Sequence, residues 1–204
     1  MKNEALSLIE MTVVVAIIAL LAVAGIPAIK ALYKSFETGL CSKALINSTL
    51  SCAKATAQKE RNYAGVLFEQ KDNVQLALPI IQEPNNRHRI DLNLDENTIL
   101  FNNEKGRQPV NLGEVSAIAP VYSDNNTKNI LIGKPAVVLF SPAGKLVIKD
   151  VAIYPDTAEY KSVRAFVIYD KSDWDKIKQT REKEIFIDNL KTFFVNVYTG
   201  RIIE

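Results

Sequence analysis

Histidine is nearly missing from this chain of 204 residues, cysteine and tryptophan are scarce, and its glycines are scattered: one His, two Cys, one Trp and eight Gly. So few Cys and His exclude a Cys/His zinc cage, and two Cys do not make a disulfide scaffold. A Ser-His-Asp triad would have to use His88, in Asn86-Arg87-His88-Arg89, and no Gly-x-Ser-x-Gly elbow accompanies it. His88 therefore reads as a solvated loop side chain. No Gly-rich loop for phosphate is present. An excess of one charge is also lacking, with 25 Lys and Arg against 23 Asp and Glu and a net charge of +2. That balance gives no electrostatic reason to expect a nucleic-acid partner. Nothing in the inventory suggests an enzyme or a cofactor.

What the chain does have is one long apolar run. Met11 to Ile29 is nineteen residues without a charge, bounded by Glu10 and Lys30. As a helix rising 1.5 Å per residue it would cover about 28 Å, close to the hydrocarbon thickness of a bilayer. A buried core helix seldom goes so far without a polar face. A secretory signal peptide has a shorter apolar region followed by a cleavage site, and a plain membrane anchor leaves Glu10 unexplained. The run predicts a transmembrane helix over residues 11–29.

Ala5-Leu6-Ser7-Leu8-Ile9-Glu10, leading straight into that run, resembles the leader and stem signature of the type IV pilin and type II secretion pseudopilin superfamily. The resemblance implies a leader at 1–5, cut by prepilin peptidase between Ala5 and Leu6, with N-methylation of Leu6. It also implies that Glu10, fifth in the mature chain, pairs with the free amine of a neighbouring subunit. Pro27 falls where such stems commonly carry a proline. The family usually has Gly before the cut and Phe or Met after it, where this chain has Ala5 and Leu6. Independently of family, an ionised carboxylate at the edge of an apolar segment costs several kcal/mol unless paired.

From Ala28 to Lys59 the composition favours helix, with Gly39 its weak point and Gly25-Ile26-Pro27 a kink. The expected stem is a single bent helix over 6–59, with Cys41, Leu45, Ser48, Cys52 and Ala55 forming the stripe that faces a sheet. Cys41 and Cys52 stand about 16 Å apart along such a helix, too far for a disulfide, and read as small buried residues. From Tyr63 onward short β-like runs appear, and 60–204 is expected to be a β-rich head. Strands are predicted at Gly65–Glu69, Val74–Leu78, Ile90–Leu94, Thr98–Asn102, Ala136–Phe140, Lys145–Ile148, Arg164–Tyr169 and Phe193–Val197. Ser141-Pro142-Ala143-Gly144 is a turn. Residues 82–89 and 106–134 read as loops. Ser172 and Asp175 look like a capping-box variant opening a helix over 173–190. Asp170, Asp173 and Asp175 lack the glycine and distal glutamate of an EF-hand, and complement to the helix dipole explains them more simply than calcium.

The whole is an α+β, pilin-like plan: a long N-terminal stem helix on an antiparallel β-rich head. Ser42–Arg61 with Val138–Gly144 also resembles the H-type minor pseudopilins, although the charged helix near the C-terminus is not a feature of that group. The function implied is a non-enzymatic subunit, of the minor kind, of a type IV pilus or type II pseudopilus. Its expected partners are other pilin-like subunits, prepilin peptidase and the inner membrane, with the head outside the cytoplasm. The alternatives are a single-span anchored binding protein that never polymerises and a minor pilin that takes up DNA. Residues 35–204 carry 22 Lys and Arg against 21 Asp and Glu, with no aromatic residues interleaved with the basic ones as in a DNA platform.

Overall fold

Alternating apolar residues after Tyr63 form strands because one face of each run must be buried while its backbone is paired. The structure, a computed structural model, describes residues 11–21, 23, 26, 42–82, 94–95, 98–102, 108–113, 116–124, 127–154 and 159–204. Helix α1 covers residues 11–21 and α2 covers Ser42–Glu60. The strands β1 Ala64–Lys71, β2 Val74–Ile81, β3 Ile99–Asn102, β4 Val110–Asn111, β5 Ser116–Asp124, β6 Thr127–Ile130 and β7 Ala136–Phe140 follow. Next come β8 Leu146–Val147, β9 Asp150–Tyr154, β10 Glu159–Lys161 and β11 Ala165–Asp170. Helices α3 Lys171–Ile177 and α4 Lys183–Asn189 precede β12 Thr192–Val195 and β13 Ile202–Ile203.

Among the described residues three sheets form. The first has the order β4-β2-β1-β7-β8, the second β10-β9-β3 and the third β13-β12-β11-β5-β6. The first and third are antiparallel throughout, whereas β3 runs parallel to β9 in the second. The fold is thus mostly β with short helices. Ile46, Leu50, Ala53 and Ala57 of α2 share one core with Val66, Phe68, Val138 and Phe140 of the first sheet and Phe166, Phe193 and Val195 of the third. Phe68 and Phe166 touch across it with ring centroids 5.9 Å apart. The opposite face of the first sheet, through Leu67, Val137 and Leu139, packs on Val151 and Ile153 of the second. The opposite face of the third, through Ala119, Ala165 and Val167, is partly covered by Trp174, Phe186 and Ile187 of α3 and α4.

Several expectations are corrected. No long apolar stem is seen, and among the described residues no helix is long and apolar enough to cross a membrane. The long described helix is not an apolar one: α2 has 19 residues but carries Lys43, Asn47, Lys54 and Lys59. The long-stem fold class, the membrane span over 11–29 and the single-pass localisation built on it are therefore overturned. Pro27 and Gly39, the residues least compatible with a continuous helix, both fall between α1 and α2 in sequence.

The buried stripe of α2 is Ser42, Ile46, Thr49, Leu50, Ala53, Thr56 and Ala57, while the expected Leu45, Ser48, Cys52 and Ala55 are exposed. The larger apolar Ile46 and Leu50 bring a different face inward and carry the small residues out. The supposed loop over 106–134 contains β4, β5 and β6. Pro120 argues against a strand there, yet it sits where β6 has ended. Its carbonyl accepts Leu131 N at 3.1 Å, and Leu131 O turns away to accept Lys134 N. The helix expected over 173–190 is two helices, with Thr180 N and Oγ1 both donating to Ile177 O, each at 2.8 Å, to close the first. The strand proposed at Ile90–Leu94 falls almost wholly outside the described residues.

One buried side chain ties the first sheet to the third. Gln75 on β2 is 2% exposed. Its Oε1 accepts Ile118 N of β5 at 3.1 Å, and its Nε2 donates to Glu69 O at 3.0 Å. Gln75→Leu keeps the apolar bulk but strands both backbone groups, and should cost about 1–3 kcal/mol. Gly65 on β1 is the complementary case, because a Cβ there would lie 2.4 Å from Val138 O of the neighbouring strand β7. Gly65→Ala should also cost about 1–3 kcal/mol, the range for overpacking. Urea unfolding checks both, and a wild-type midpoint for either would contradict the packing described.

Candidate functional site

The residues that the sequence singles out for processing and assembly, Ala5, Leu6, Glu10 and Pro27, lie outside the described residues, as do Cys41 and His88. What is described begins one residue after Glu10. Helix α1 exposes its apolar side chains on all sides, from Met11 at 57% to Val15 at 61% and Leu20 at 71%. Burying a side chain such as Leu or Ile fully is worth about 1.5–3 kcal/mol, and among the described residues most of that is not recovered here. A contiguous surface of this kind belongs to an interaction.

Helix α2 is stapled to the C-terminal strands by polar contacts along its length. Asn47 Oδ1 accepts Ile202 N at 2.8 Å. Lys43 forms an ion pair with Glu204 and lies over the Phe193 ring, 4.6 Å from its centroid. Lys54 donates to Tyr198 O. The Lys43 ammonium holds the Glu204 carboxyl below the usual carboxylate range through a hydrogen bond and its charge. Outside these contacts, the face of α2 with Leu45, Ser48, Cys52 and Ala55 is exposed. Cys52 is a free thiol.

The three carboxylates weighed for calcium have protein partners instead. Asp170 is the N-cap of α3, its Oδ1 accepting Ser172 N at 2.8 Å and Asp173 N at 3.4 Å. This replaces the cap expected at Ser172. Asp173 pairs with Lys176 at 3.1 Å and Asp175 with Lys178 at 2.8 Å. The hydrogen bond from Lys178 keeps the Asp175 carboxyl low. Among the described residues no group of three His, Cys, Asp or Glu comes together around a common point.

Sequence reasoning missed a groove of about 720 Å³ on the third sheet. Its walls come from β5, β6, the 161–165 segment and β12, including Tyr122, Lys128, Lys161, Arg164, Thr192 and Phe194. Tyr122 donates from its hydroxyl to Lys161 O at 3.2 Å, and burial pushes that phenol up from its usual value. These residues are spread over more than 70 positions, partly in the stretch read as loop, so no local motif marks them. No family model matches the chain, and no curated protein and no solved structure matches it either.

The exposure of Cys52 is directly measurable. In the native protein it should react with iodoacetamide without denaturant, with peptide mapping assigning the adduct. Modification of Cys52 only after unfolding would contradict the orientation of α2.

Proposed function

We propose that the protein is a non-enzymatic, pilin-like structural subunit, of the minor kind, of a type IV pilus or a type II secretion pseudopilus. On this reading prepilin peptidase cuts between Ala5 and Leu6, and neighbouring subunits join through their apolar N-terminal helices. The observation that carries it is the continuity in sequence of Ser7-Leu8-Ile9-Glu10 with α1, whose apolar side chains stay largely exposed among the described residues. Packing α1 against copies of itself would bury that surface. Doing so would also draw Glu10 into an apolar setting, where it needs a cation. The Leu6 amine of a neighbour supplies one, and the pair sets the axial register. The head, with β-sheets on either side of α2, then displays its loops to other subunits or to cargo.

Processing gives the first test. The protein isolated from its own host should begin at Leu6 by mass spectrometry; a chain that keeps Met1 rejects the reading. Assembly gives the second. Glu10→Ala should lower filament incorporation at least tenfold with the head still folded, and wild-type incorporation would reject the register pair.

A further inference from the structure

The groove on the third sheet has one sign of charge and an apolar floor. Sheet alternation places Val121, Ala165 and Phe194 on the face of the third sheet turned away from α2. Helices α3 and α4 cover one end of that face. At the other end the groove remains open, and Phe194 is 44% exposed there although it lies in a strand. Ile148, 51% exposed, adds a second uncovered apolar side chain.

Lys128, Lys161 and Arg164 line the same groove, and no Asp or Glu does among the described residues. Lys128 spends one donor on Leu190 O at 2.9 Å. Lys161 and Arg164 make no ion pair among the described residues. Three cations around one groove repel each other unless an anion enters, and a low-dielectric wall strengthens that preference. Thr192 lines the groove as well, and its hydroxyl is buried without a hydrogen-bond partner. Such a group is costly to leave unpaired.

We infer that this groove binds an amphipathic organic anion: a carboxylate or similar head held by Arg164 and Lys161, with an apolar body against Phe194 and Val121. The volume lies in the range of small-molecule sites, about 300–1,000 Å³. A simple inorganic anion would leave the apolar floor wet. A nucleic acid strand would call for a row of aromatic faces along a basic track, and the groove offers Tyr122 and Phe194 within one short cleft.

Decanoate is the probe, titrated calorimetrically into the full-length protein, with decan-1-ol as the uncharged control. Decanoate should bind one per chain and at least tenfold more tightly than decan-1-ol. Arg164→Glu and Lys161→Glu should each weaken decanoate at least tenfold with an unchanged Tm, and the milder Arg164→Gln serves if a reversal disturbs folding. Equal affinity for decan-1-ol, or decanoate binding indifferent to all three substitutions, overturns the inference, because it places the apolar chain elsewhere, as on the bare α1. Tighter, Arg164-dependent binding of a single-stranded oligonucleotide than of decanoate overturns it too, in favour of nucleic acid.

Discussion

Ile46, Leu50, Ala53 and Ala57 on α2 must be covered from two sides at once, and the rest of the head is arranged around that requirement. Phe68 and Phe140 of the first sheet supply one side, and Phe166 and Phe193 of the third supply the other. Ala53 and Ala57 belong to the same cluster, in which Phe68 and Phe166 meet directly. Each fully buried Ile or Leu contributes roughly 1.5–3 kcal/mol, and an aromatic pair adds about 0.5–1.5 kcal/mol. The helix and the facing sides of both sheets belong to one apolar cluster, so they stand or fall together. The polar contacts to Tyr198, Ile202 and Glu204 then fix the helix's rotation and bring the C-terminal strands alongside it.

This arrangement separates two kinds of surface. Within the head, most large apolar side chains are buried in three clusters, with Phe194 and Ile148 among those left exposed. The apolar side chains of α1 stay largely exposed among the described residues. The apolar floor of the groove, Val121, Ala165 and Phe194, lies on the sheet face away from α2, while Tyr122 and Val163 of its wall reach the α2 core.

Legibility in the sequence followed the range of the interactions. The β7–β8 hairpin was readable because Pro142 and Gly144 encode its turn locally, Gly144 adopting φ of 72° and Ser141 N donating to Lys145 O. The β1–β2 pair was readable too, joined by Asp72 and Asn73 at φ of 49° and 68°, the turn that two-residue hairpins favour. Strands β5 and β6 were hidden because Pro120 breaks the local pattern, and its tolerance depends on where another strand stops. Strand β9 depends on a parallel partner some fifty residues earlier, which no local rule anticipates. The face of α2 was misread because small residues recur at helical spacing beside the large ones that decide burial. The apolar run was conspicuous, yet among the described residues no helix is long and apolar enough to cross a membrane. The groove draws its cations from two separate segments, so its charge vanishes into the near-neutral total.

The claim that α2 couples the first and third sheets into one cooperative unit is tested most directly by native-state amide hydrogen exchange, read residue by residue across a denaturant series. The account predicts that protected amides of β1 and β7 and of β11 and β5 converge on a single opening free energy, and that Leu50→Ala lowers all of them together. Persistence of either sheet's protection while the other's collapses would contradict it.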